Sequence, residues 1–96
     1  MRLTLATVQV ARALLSSESP QWGRDIGRRA AVKSGVAHPI LQRMLDAGWV
    51  TARLVKSKEG SRRYYQVTEA GRRELKELVG RAKDDPRFTH LFLDER

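Results

Sequence analysis

Cysteine is absent from the 96 residues, which removes disulfides, thiolate zinc sites and cysteine nucleophiles and leaves the fold indifferent to redox compartment. Histidine is scarce: His38 and His90 stand in unlike contexts, and neither belongs to a nucleophile, metal or acid–base motif. A glycine-rich phosphate loop is also lacking, so an enzyme, a metal and a cofactor are not expected. No apolar run approaches the roughly 18–20 residues of a membrane span. The opening MRLTLATVQVARALL is broken by Arg12 and has no signal-type cleavage region, so a soluble, unexported, cytoplasmic protein is expected. The length suits one domain, because two cores would leave each half too small to stabilise easily.

Acidic residues are few, eleven against nineteen Lys plus Arg, for a formal net charge of +8. The excess is local. Residues 1–20 carry +1, residues 21–63 carry +7, and residues 64–96 balance seven basic against seven acidic side chains. A polyanionic partner is therefore expected at the middle of the chain, and the C-terminal third is expected to stay off phosphate.

Leu3, Leu5, Val8, Ala11, Leu14 and Leu15 recur at near-helical spacing, and Ser16 to Pro20 ends the pattern, predicting a first helix from about Thr4 to Ser16. Its wide apolar stripe suits either the domain core or a partner helix from a second subunit. Trp22, Ile26 and Ala30 at intervals of four predict a short second helix within Gln21–Ala31, followed by a turn over Val32–Gly35. Ala37, Ile40, Leu41, Met44 and Leu45 form the strongest stripe. Pro39 fits that helix only in its first turn, which predicts a start near Val36 or Ala37, and Gly48 suits its left-handed end. Trp49–Lys56 and Arg62–Val67 read as strands joined across a Ser57–Ser61 tip. Thr68 caps a last helix carrying Leu75, Leu78 and Val79 and ending before Pro86. The tail holds Phe88, Leu91, Phe92 and Leu93, too apolar to be inert.

Helix, helix, turn, helix, hairpin, helix is the order of a winged helix-turn-helix, a mainly α fold with a two-stranded β-hairpin. We expect one winged-helix domain over 1–96: the first helix in 1–17, the helix-turn-helix and wing in 21–67, and the last helix and tail in 68–96. If the third helix buries its apolar stripe, a turn of about 100° per residue leaves Gly35, Pro39, Gln42, Arg43 and Asp46 outward. Gln42 and Arg43 are then the expected base readers, since Gln pairs with adenine and Arg with guanine in the major groove. The bland alternative for Arg43 is a surface ion pair with Asp46. Lys33 and Ser34 precede the helix, where a hydroxyl caps it or a backbone N–H meets phosphate. Arg28 and Arg29 suit phosphate clamping or simple solvation. Lys56, Lys58, Arg62 and Arg63 surround the wing tip and suit the DNA backbone or a minor groove. Tyr64 and Tyr65 point to opposite strand faces, so one belongs to the core and the other is free to touch the sugar-phosphate backbone. Trp22 and Trp49 are read as core.

The middle of the chain, roughly Trp22 to Leu78, resembles the PadR-like branch of bacterial transcriptional regulators. The resemblance rests on His38, Pro39, Ile40, Leu41, Gln42, Arg43, Met44, Leu45 and Gly48, and on Arg62, Arg63, Tyr64, Tyr65, Gln66, Val67, Thr68 and Gly71. MarR-like and other winged-helix families share part of this pattern. His38 stands where the family usually has tyrosine, and a phosphate or base-edge contact there is an expectation. The length resembles the short class of the family, in which the first and last helices build a dimer. This implies a homodimer held by Leu5, Val8, Leu15, Leu75, Leu78, Phe88 and Phe92. The family implies a sequence-specific regulator of double-stranded DNA, most often a repressor; the sequence names no small-molecule effector. Two other jobs fit the same residues: a DNA-architectural or phage-type excision factor, and a winged helix that binds an acidic protein surface.

Overall fold

Thr4 opens the first helix of the computed structural model, which describes residues 1–95 and leaves Arg96, the end of the expected tail, outside the described residues. The Thr4 hydroxyl oxygen accepts the Thr7 N–H at 3.1 Å, satisfying one donor that the first turn leaves over. Helix α1, Leu5–Leu15, ends where the Ser16 hydroxyl donates to the Ala13 carbonyl at 2.5 Å. Its stripe packs inward, and Val8, Val10, Ala11 and Leu14 are fully buried.

The segment after Pro20 differs from the expected helix. Gln21–Trp22 is a short strand, β1, and α2 occupies Gly23–Ala30. Pairing with the wing outweighs helix propensity here, because Gln21 lies opposite Tyr65 and Trp22 opposite Tyr64. Buried Gln21 also donates its side-chain amide to the Leu14 carbonyl at 3.0 Å, closing the end of α1. Helix α2 stops at Ala31 in left-handed conformation, with the Ala31 and Val32 N–H groups returning to the Arg28 and Gly27 carbonyls. That closure makes the tight turn into α3, Ser34–Asp46.

Helix α3 begins earlier than Pro39 suggests, so the proline lies inside it rather than in the first turn. The bond forfeited is the one to the Gly35 carbonyl, and Gly35 is exposed, on the solvent side of the helix. Gly48, at φ +76°, closes α3: its N–H returns to Leu45 and the Trp49 N–H to Met44. Strands β2, Val50–Ser57, and β3, Gly60–Val67, form the antiparallel hairpin, in register from Val50 opposite Val67 to Ser57 opposite Gly60. With β1 the sheet has three strands, ordered β1-β3-β2. Helix α4, Glu69–Lys83, is capped by Thr68 and followed by a 3₁₀ turn over Thr89–Glu95.

Leu14, Ile26, Met44, Val50, Leu75 and Leu78 meet in one core, each fully buried. Removing such side chains from water stabilises by about 1.5–3 kcal/mol apiece. The C-terminal tail closes back on this core through Phe88 and Phe92, 4% and 5% exposed. Arg12 locks it by donating to the Leu91 carbonyl at 2.8 Å, its guanidinium 4.7 Å from the Phe92 ring centre. Val8, Leu75, Leu78, Phe88 and Phe92, expected at a subunit contact, lie in the protomer's own core, each at most 5% exposed. Leu5, 45% exposed, and half-buried Leu15 keep surface, as do Met1 and Leu93. Among the described residues no helix is long and apolar enough to cross a membrane.

Candidate nucleic-acid interface

The outward side of α3 is built by what the inward side buries. Ala37, Ile40, Leu41 and Met44 lie in the core, which turns Gly35, Val36, His38, Pro39, Arg43 and Asp46 to the surface and leaves Gln42 half-buried. Arg43 is exposed, and no described residue pairs with it. Asp46 receives the Gln42 side-chain amide at 3.0 Å, so the ion pair anticipated between Arg43 and Asp46 does not form. Ser34 is the first helical residue rather than the cap. The capping position belongs to Lys33, which makes no side-chain cap bond, and both are exposed.

The wing stands beside this helix with two different faces. Alternation places Leu54, Lys56, Ser61, Arg63 and Tyr65 toward the helices, and Arg53, Val55, Arg62 and Tyr64 on the outer side. Tyr65, 2% exposed, is the tyrosine that enters the core. Tyr64 lies on the outer face between its cross-strand partners Trp22 and Arg53, so the structure does not bring it to the α3 side. Lys56 and Lys58 are exposed at the tip. Arg62 lies with its guanidinium 4.2 Å from the Trp22 ring centre and 3.7 Å from the Glu59 carboxylate. Trp22 is thus half-buried at the sheet edge instead of filling the core, with Arg24 approaching the same ring at 5.7 Å.

The two arginines ending α2 separate in role. Arg28 is exposed on the side facing the turn into α3, lining a hollow with Arg24, Val32 and Ser34, and it meets Asp25 at 3.9 Å. Arg29 is engaged within the protein: it donates to the Gln21 side-chain oxygen and, at 3.0 Å, to the Ser16 hydroxyl. Instead of a free phosphate clamp it is a brace between α1, β1 and α2. Arg29→Ala should therefore lower unfolding stability by about 1–3 kcal/mol, the penalty for leaving a buried acceptor unpaired. Chemical denaturation will show that loss. Duplex affinity should stay within about twofold, as when no phosphate contact is lost.

Sequence reasoning passed over Arg24 and Val36. Arg24 shares a helix with three competing charges, and its proximity to Ser34, His38 and Arg63 across one cleft exists only in the folded chain. Val36, 48% exposed, reads as one more apolar residue of the stripe until the helix start is fixed at Ser34. Among the described residues no group of histidines and carboxylates could hold a metal.

Residues 17–77 match the model of the transcriptional regulator PadR-like family. No match is found among curated proteins. Among solved structures, the chain is similar to a PadR family transcriptional regulator from Eggerthella lenta, with 19% identity, 95% of this chain and 80% of that chain covered, and a TM-score of 0.69. A PadR-like transcription factor from Bacteroides fragilis is 26% identical over 83% of this chain and 84% of that one, with a TM-score of 0.63. Bacillus subtilis PadR, solved in complex with operator DNA, is 18% identical over 82% of this chain and 48% of that chain, with a TM-score of 0.67.

Proposed function

The chain belongs to the transcriptional regulator PadR-like family, and from that premise we propose that it is a sequence-specific repressor that binds double-stranded DNA as a homodimer. DNA-binding transcription regulation comes with the family. The observation that supports this particular mode is the outward side of α3, where Arg43, Val36 and Pro39 are exposed and half-buried Gln42 lies beside them. In the major groove Arg43 would take a guanine edge, Gln42 an adenine edge, and Val36 a thymine methyl. Lys56, Lys58 and Arg63 on the wing would hold the neighbouring backbone or minor groove, and Arg28 and Lys33 the phosphates beside the helix start. The solved Bacillus subtilis PadR is bound to operator DNA, which favours duplex as the partner.

A second copy would supply a second recognition helix, so the site would be an inverted repeat with half-sites about 34–36 Å apart or a multiple of that spacing. Met1, Leu5 and Leu93, exposed apolar side chains near the two ends of the chain, would join the two copies. Selection of bound fragments from a randomised duplex pool tests the reading. The expected product is a palindromic motif, whose occupancy in a promoter reporter lowers transcription. Binding should weaken steeply with salt, and Lys56→Ala, which removes a cation exposed on the helix-facing side of the wing, should reduce affinity alike on selected and random DNA, flattening the salt slope by about one. Enrichment of no motif, with salt-insensitive retention, would overturn the proposal.

A further inference from the structure

Beyond its root the wing has little to lean on. Across residues 53–63 every side chain is exposed except that of Arg62, which is half-buried. Its guanidinium lies 4.2 Å from the Trp22 ring centre and 3.7 Å from the Glu59 carboxylate. Trp22 stands where the wing meets the helices, since it ends β1, opposite Tyr64, and occupies the capping position of α2. Strand β1 stops there, so the hairpin beyond Tyr64 is a two-stranded ribbon, a form with little stability of its own. The stack on Trp22 reaches two residues farther along that ribbon than the β1 pairing does. Arg63 nears the Tyr65 ring, at 5.9 Å, yet stays exposed. Alternation also parts Arg62 from the other wing cations: it lies on the outer side, while Lys56 and Arg63 lie on the helix-facing side.

We propose that Arg62 is a positioning residue of the DNA-binding surface: held on Trp22, it sets the angle of the wing against α3 and does not itself neutralise a phosphate. Lys56, Lys58 and Arg63 then meet the backbone while Arg43 meets its base. The inference rests on the DNA-binding reading above and gives one residue of the wing a separate role in it. A guanidinium is attracted to the negative face of an indole, the strongest of the aromatic rings in this respect, and its planar fork stacks there. Without the stack the ribbon samples other angles, and apparent affinity falls by the fraction of molecules whose wing is aligned. At a partly exposed site such a contact favours the aligned wing by about two- to fivefold, which limits the loss. Once the complex forms, the same phosphates are neutralised, so the salt dependence does not change with it.

The test joins duplex affinity, from fluorescence anisotropy over a salt series on a mixed-sequence duplex, to wing mobility in the free protein, from ¹⁵N relaxation and relaxation dispersion. Arg62→Ala and the charge-neutral Trp22→Leu should each weaken binding by about two- to fivefold. Their salt slopes should stay within about half a unit of wild type, against the fall of about one that a lost phosphate contact gives. The double variant should bind as either single variant does, because the two residues act as a unit. Trp22→Phe, which keeps a ring beneath the guanidinium, should recover part of the loss. In Arg62→Ala the mobility of residues 54–61 should rise while α1 and α4 keep theirs, which separates a loosened wing from a general loss of structure. A slope lower by about one in Arg62→Ala, with Trp22→Leu binding as wild type, overturns the inference and makes Arg62 a phosphate contact. Unchanged wing mobility in Arg62→Ala also overturns it and leaves the DNA-binding reading standing. Absence of duplex binding by the wild type overturns that reading instead, together with the role of Arg62 in it.

Discussion

Gly71→Ala is expected to unfold most of the protein at temperatures where the wild type is intact. A Cβ at that position would overlap the Trp49 carbonyl oxygen and lie 2.6 Å from the Trp49 Cα, and both are backbone atoms that cannot rotate away. Around this contact α4 is pinned to the root of the wing. The Thr68 N–H donates to the Trp49 carbonyl at 3.0 Å. Its hydroxyl donates to the Gly48 carbonyl at 2.7 Å and accepts the Gly71 N–H at 2.9 Å. Making room for a methyl means parting α4 from that joint, which opens the core beneath Leu75 and Leu78. The loss should reach at least about 3 kcal/mol, a large share of the roughly 5–15 kcal/mol that holds a small domain together. Gly80 on the same helix is the control, since open space surrounds it. Gly80→Ala should stabilise by about 0.5–1 kcal/mol through helix propensity alone. Thermal melts of the two variants beside wild type decide the matter, and equal midpoints would show that the close approach carries no energetic weight.

The same joint shows what was legible before folding. Thr68 and Gly48 mark helix ends because each supplies a local hydrogen-bond acceptor or a left-handed residue, and such signals need no knowledge of distant chain. The hairpin was legible for a related reason: alternation over Val50–Val67 decides which side chains share a face, and one-residue slips would expose Tyr65. The β1 strand was hidden, because Gln21 and Trp22 become a strand only when the edge of β3 is beside them. A stripe such as Val8, Leu75 and Leu78 announces burial but does not say against what, which is why a subunit face was expected where the protomer's own core lies. Charge behaved alike. Its concentration in residues 21–63 was plain, yet the separate roles of Arg28 and Arg29 depend on the rotation of α2. Likewise the grouping of Arg24 with His38 and Arg63 depends on three elements meeting.

Arg43→Ala should cost the largest share of specific affinity of any single change on the recognition side. Arg43 is exposed on the outer side of α3, and Asp46, the nearest carboxylate along the helix, is occupied by Gln42 at 3.0 Å, so no internal ion pair must break before a guanine edge is met. A guanidinium that donates two hydrogen bonds to one base discriminates by about 1–3 kcal/mol, on the order of 5- to 150-fold. On the selected site the variant should lose that much and accept other bases at one position of each half-site, while random duplex should lose little. Lys58→Ala at the wing tip should do the reverse, weakening both duplexes by a similar factor with base preference intact, because a phosphate contact carries no sequence. Arg43→Lys separates charge from geometry. It keeps the cation and should leave random-duplex affinity at the wild-type level, but it lacks the planar fork and should recover only part of the preference. If Arg43→Ala and Lys58→Ala instead gave matching losses on both duplexes, α3 would be gripping the backbone, and sequence would be read by another part of the molecule.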